Sequence, residues 1–163
     1  MRAAIIGNSG SGKSTLARRL SVAHLVEVLD LDQVAWDPTR ITVLRPVETA
    51  LADVRRFCAA RDSWIVEGCY ASLIEGALEH EPELWFLDPG AERCIANCRS
   101  RPWEPHKYAS KADQDEKLSF LIEWVREYYT RDGDTSFKVH RELYERYTGA
   151  KRWLTELPAS TIT

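Results

Sequence analysis

No apolar run in this 163-residue chain approaches the length of a bilayer span, and the apolar start at Ala3–Ile6 is too short for a signal peptide. Charge of one sign is missing as well. Twenty-two Lys and Arg stand against 25 Asp and Glu, a formal net charge of −3, which provides no electrostatic footprint for strong nucleic-acid binding. Four cysteines, Cys58, Cys69, Cys94 and Cys98, form no C-x2-C pair. Cys94 and Cys98 lie one helical turn apart and read as small core residues on a helix face, and all four are expected as free thiols. There is no internal repeat and no low-complexity tract. A hydrophobic content of 44% with 29% charged residues suits a soluble globular protein. One cytoplasmic domain over residues 1–163 is expected, as monomer or homodimer.

Glycine is scarce, eight in all, yet three fall inside residues 5–15, "IIGNSGSGKST". The spacing Gly7-x4-Gly12-Lys13-Ser14 is that of a phosphate-binding P-loop, in which glycine turns aim successive backbone N–H groups at an anion. Gly7, Asn8, Ser9, Gly10, Ser11, Gly12, Lys13, Ser14 and Thr15 would form the cradle. Lys13, expected to face solvent without a ligand, would reach the β- and γ-phosphates, and the Ser14 hydroxyl would ligate Mg²⁺. "AAII" before the motif reads as a buried strand, and "TLARRLSVA" after it has helical spacing, with a helix N-terminus favouring the same anion. ATP and Mg²⁺ are the expected cofactors.

Further strands are expected at "LVEVLD" (25–30), "SWIVEG" (63–68), "ELWFLDPG" (83–90) and "KRWLTEL" (151–157). Helices are expected over 46–61, from residue 91 to about 101, over 113–131 and in a segment ending near Tyr147, with a loop over 102–111 and a polar break at "DGDT". Alternating strands and helices imply a parallel sheet covered on both faces, whose ligands gather at the C-terminal strand ends. Those ends carry acids. "DLDQ" places Asp30 and Asp32 on one side of an extended chain, to hold a metal-bound water and to accept a hydrogen bond from a substrate hydroxyl. Glu67 closes an apolar strand, a costly place for a carboxylate unless a cation such as Mg²⁺ needs it. Asp88 reads instead as the N-cap of the helix that follows. Arg99 and Arg101, at a helix end beside a proline-containing loop, offer movable positive charge for phosphoryl transfer, with His106, Lys107 and Arg126 as weaker candidates. Trp36, Arg40 and Arg45 could line an acceptor pocket for an anionic or planar substrate.

These motifs together resemble the small P-loop kinases that include adenylate, shikimate and gluconate kinases. "DLDQVAW", "WIVEGCY", "LWFLDPG" and "RSRP" fall where that family has its acceptor site, third-strand acid, fourth strand and lid arginines. The pair "DLDQVAW" and "EGCY" is most similar to a bacterial branch known as DNA topology modulation proteins, or adenylate-kinase-related kinases. The resemblance implies an α/β, three-layer fold with a five-stranded parallel sheet in order 2-3-1-4-5, an acceptor segment over about 32–62 and a lid over about 99–117. The third strand departs from the pattern. It ends in Glu-Gly-Cys-Tyr, where adenylate kinases have Asp-Gly-Phe-Pro-Arg and shikimate kinases a glycine triplet.

The expectation is therefore a kinase moving the γ-phosphoryl group of ATP to a small hydroxyl compound or a nucleotide. Lys13, Asp32, Arg99 and Arg101 are assigned to catalysis. Asp32, Trp36, Arg40, Arg45 and Tyr70 are assigned to the acceptor, and Ser14, Asp30 and Glu67 to the metal, partly through water. The rival readings are a non-enzymatic ATP-binding regulator of DNA topology and an NTPase switch without an acceptor.

Overall fold

In the computed structural model, which describes residues 1–40, 43–105 and 108–159, β1 (Arg2–Gly7) runs through the middle of the sheet. It pairs in parallel with β3 (Trp64–Gly68) on one side and β4 (Glu83–Leu87) on the other. Next to β3 lies β2 (Glu27–Asp30), and next to β4 lies β5 (Lys151–Leu154), giving five strands in order 2-3-1-4-5. Every pairing is parallel.

Strand residues alternate between two cores, as the two-residue period requires. Ala4, Ile6, Val66 and Phe86 pack toward α3 (Val47–Ala59), α4 (Ala71–Leu78) and α7 (Phe137–Arg146). Ala3, Ile5, Ile65, Trp85 and Leu87 pack toward α1 (Lys13–His24). A third cluster joins α5 (Ala91–Arg99) to α6 (Lys111–Arg126) through Cys94, Ile95, Cys98, Ile122 and Val125. The helix-face reading of Cys94 and Cys98 holds, and all four cysteines are free thiols. Among the described residues no helix is long and apolar enough to cross a membrane.

Several local expectations need correction. The second strand begins at Glu27 rather than Leu25, which is a left-handed residue (φ 54°) ending α1 and is 91% exposed. After Asp30 the chain does not stay extended. Leu31 is helical and Asp32 opens α2 (Asp32–Ala35), with Asp30 Oδ1 accepting the Asp32 N–H at 2.9 Å. Asp88 caps no helix; α5 starts after Gly90 without a side-chain cap, and Asp88 accepts the Tyr129 hydroxyl at 2.5 Å. The expected helix over 113–131 begins at Lys111 and gives way at Glu127–Tyr129 to a 3₁₀ turn. No element was expected at α4. Its interior Gly76 lowers helix propensity, but that glycine lets the Leu51 side chain of α3 come so close that a Cβ would collide with it.

Candidate active site

The C-terminal edge of the sheet brings β1, β2 and β3 to a common end, and α1 starts beside it. Between β1 and α1 the chain turns through Gly10 (φ 78°) and Gly12 (φ 98°), a conformation that side chains with a Cβ resist. At Gly10 a Cβ would also collide with the Cys94 carbonyl. The loop is held from two sides. Asn97 of α5 donates its Nδ2–H to the Gly10 carbonyl at 2.8 Å, and Asn8 donates its own to the Val125 carbonyl of α6 at 3.0 Å. Neither asparagine contact is legible in the sequence, since an Asn has no helical or strand period of its own.

Lys13 is buried, 8% exposed, and donates to the Asn8 carbonyl at 2.8 Å, so the expectation of a solvent-facing ammonium is wrong. Its charge is folded back into the loop. Ser11 Oγ is buried with no hydrogen-bond partner among the described residues, an uncompensated polar atom inside the turn where an anion would lie.

Ser14, one residue after Lys13, donates its hydroxyl to Glu67 Oε1 at 2.6 Å. Glu67 is 4% exposed. Burial raises its pKa and the Asp30 and Asp32 charges add to the rise, while Lys13 and the Ser14 hydrogen bond oppose it. β2 pairs Asp30 directly with Glu67. Asp30 and Asp32 thus act on a buried Glu67 whose charge Lys13 offsets, a surplus of negative charge that a divalent cation would neutralise. Among the described residues no cluster of three or more His, Cys, Asp or Glu is arranged as a metal cage. The donor set here, a hydroxyl with nearby carboxylates, instead suits Mg²⁺, which keeps waters and phosphate oxygens among its ligands.

Asp32 is tied to the third strand's far side. Tyr70, just past β3, donates its hydroxyl to Asp32 Oδ1 at 2.8 Å and accepts from Trp36 Nε1 at 2.9 Å. Three residues assigned separately to the acceptor therefore form one hydrogen-bonded chain. Burial, first of all, raises the Tyr70 pKa, and the nearby Asp32 carboxylate adds to it, so the phenol stays a donor.

The arginines divide. Arg40 is taken up by Asp37 (Nη2–Oδ2 2.8 Å). Arg45 donates to the Val34 carbonyl and to Asp53 (2.7 Å), bracing α2 against α3. Arg99 is exposed at the end of α5, and Arg101 lies 3.8 Å from Glu104. Arg126 pairs with Glu123. His106 and Lys107 lie outside the described residues.

Behind the site sits a buried pair that the sequence does not announce. His140 Nε2 lies 2.8 Å from the Cys69 carbonyl and Nδ1 2.8 Å from the Tyr128 hydroxyl. A carbonyl only accepts, so Nε2 carries the proton and Nδ1 accepts from Tyr128. This arrangement fixes the backbone just beyond Glu67. Burial pushes the His140 pKa down to about 4 from its ordinary 6.5. The unfolded chain therefore binds the extra proton first, and the stability present above pH 6.5 is lost as pH falls toward 4. The urea midpoint should fall between pH 7.5 and pH 5, and the fall should be smaller in His140→Gln. Equal falls in the two proteins would show that His140 carries no such linkage.

The chain matches no protein-family model and no curated protein sequence. Solved structures do resemble it. A sugar kinase from Janibacter sp. superposes over 94% of this chain and 83% of its own, with 15% identity and a TM-score of 0.52. A gluconokinase from Sinorhizobium meliloti (18% identity, 87% and 88% covered, TM-score 0.49) and a shikimate kinase from Bacteroides thetaiotaomicron (16%, 89% and 97%, 0.49) are also similar. At 15% identity the likeness to the sugar kinase is one of fold.

Proposed function

We propose that this protein is a Mg²⁺- and ATP-dependent kinase that transfers the γ-phosphoryl group to a small hydroxyl compound or nucleotide. The observation that carries the reading is the Ser14–Glu67 hydrogen bond of 2.6 Å at the mouth of the glycine turn, with Asp32 at the start of α2 just beyond the neighbouring strand. It supports a site in which the glycine turn would cradle phosphate, the Ser14 hydroxyl would ligate the metal and Asp32 would face the acceptor, at the sheet edge where ligands of such sheets collect.

In this reading the backbone N–H groups of residues 8–15 and the Lys13 ammonium bind the phosphates, Lys13 exchanging the Asn8 carbonyl for phosphate oxygen. Ser14 would hold Mg²⁺, with Glu67 and Asp30 on its waters; the ion supplies neutralisation of phosphate charge. Asp32, aimed by Tyr70, accepts the proton of the acceptor hydroxyl. The acceptor oxygen forms a bond to the γ-phosphorus, the bond to the β,γ-bridging oxygen breaks, and ADP leaves with that electron pair.

Arg99 and Arg101 would come over the β- and γ-phosphates as the segment after α5 closes. Alanine at either position should lower kcat at least tenfold while ATP affinity by calorimetry changes less than threefold. Wild-type turnover in both variants would reduce these arginines to a basic helix end. The kinase reading itself is tested by calorimetry of Mg-ATP against the purified protein, followed by ADP formation with a panel of hydroxyl compounds. Failure to bind Mg-ATP at millimolar concentration would end it.

A further inference from the structure

Beside the Asp32 carboxylate the fold leaves an indole half in solvent. Trp36 is 38% exposed, although its Nε1–H is fixed on the Tyr70 hydroxyl. Its backbone pairs antiparallel with Leu44, itself 57% exposed, and Val47 at the start of α3 is 54% exposed. Two exposed apolar side chains, Trp36 and Leu44, are thus bridged beside Asp32. The indole is immobilised at its polar edge and bare on part of its surface, the arrangement in which a ring can stack on it with little further ordering cost.

The fixing group matters as much as the ring. The Tyr70 hydroxyl accepts from Trp36 and donates to Asp32, so one atom sets both the indole and the carboxylate. We propose that Trp36 is the stacking platform for an acceptor that carries a ring with an apolar face, and that Tyr70 couples this platform to Asp32. A ring seated on the indole then brings its hydroxyl to the carboxylate. The inference rests on the kinase reading above. Both a nucleoside base and a sugar ring have this chemistry, whereas an open-chain polyol does not. Trp36 and Asp32 touch the acceptor; Tyr70 is a positioning residue.

The test uses the full chain with Mg-ATP and measures ADP formation with adenosine, cytidine, glucose, glycerol and erythritol at matched concentrations. At least one ring compound should react tenfold or more faster than either open-chain polyol. A nucleoside response identifies a base as the stacked group, and a glucose response a sugar. For the active compound, Trp36→Ala should raise KM about tenfold or more with a much smaller change in kcat. Trp36→Phe, which keeps a ring, should retain most of the affinity. Tyr70→Phe should raise KM and lower kcat together. The double variant Trp36→Phe with Tyr70→Phe should be no worse than Tyr70→Phe alone, because both remove the same hydrogen bond. Circular dichroism checks that each variant is folded. Glycerol or erythritol reacting as well as the rings, or an unchanged KM in Trp36→Ala, overturns the inference while leaving the kinase reading intact. So does a complete lack of response to all five compounds in a protein that binds Mg-ATP. A protein that fails to bind Mg-ATP sinks the kinase reading itself.

Discussion

Asp32→Asn should lose about 10²-fold or more in phosphoryl transfer while Mg-ATP affinity stays within a factor of a few. The substitution is close to isosteric, and Asn keeps an oxygen that can accept the Tyr70 hydroxyl, which meets Asp32 Oδ1 at 2.8 Å. It removes the negative charge and adds N–H donors, so the side chain no longer takes a proton from the acceptor. The nucleotide side is untouched because Lys13, Ser14 and the glycine turn remain. The measurement is turnover with the acceptor found in the panel, beside calorimetry of Mg-ATP. Full turnover in Asp32→Asn would move the acceptor site elsewhere and dissolve the role given to the Trp36–Tyr70–Asp32 chain.

The second large effect is expected at Lys13. Its ammonium is buried and donates to the Asn8 carbonyl at 2.8 Å, a neutral partner for a desolvated charge. A phosphate gives that charge a better partner, because it adds the Coulomb attraction of an opposite charge in a water-poor site to the hydrogen bond. Lys13→Ala should therefore weaken Mg-ATP binding by about two orders of magnitude, and a charge-assisted contact of about 1.5–3 kcal/mol accounts for roughly half of that loss to all of it. The variant also removes the positive charge that offsets buried Glu67, so circular dichroism and a urea titration verify that it is folded before its affinity is read. A folded Lys13→Ala protein with unchanged Mg-ATP affinity would end the P-loop reading.

What could be read from the sequence was what is written locally. The spacing of Gly7, Gly12, Lys13 and Ser14 specifies a turn within eight residues, and the acids at 30 and 67 close strands whose apolar runs are plain. The sheet order followed from the resemblance that these motifs support. The misreadings share a cause: the deciding partner lies far along the chain. Asp88 looks like a cap until Tyr129 is seen to reach it, and α4 is invisible until α3 fills the space that Gly76 leaves. Ser72 and Ala71 at the start of α4 are bonded by Asp134, inside the stretch "DGDT" that reads only as a polar break. His140 is an imidazole on the apolar face of "FKVHRELY" whose partners, the Cys69 carbonyl and Tyr128, again lie elsewhere in the chain. A histidine there must find partners or stay neutral, and it does both.

The two asparagine contacts to the glycine turn set the neighbouring arginines at different removes from it. Asn97 ties α5 to Gly10, and Asn8 ties the end of α6 to the same loop. Arg99 stands two residues from Asn97 and within α5, so a rigid helix links it to the tether. Arg101 lies past the Ser100 helix end. The tether reaches one guanidinium-bearing residue through the helix and the other only through the turn that ends it.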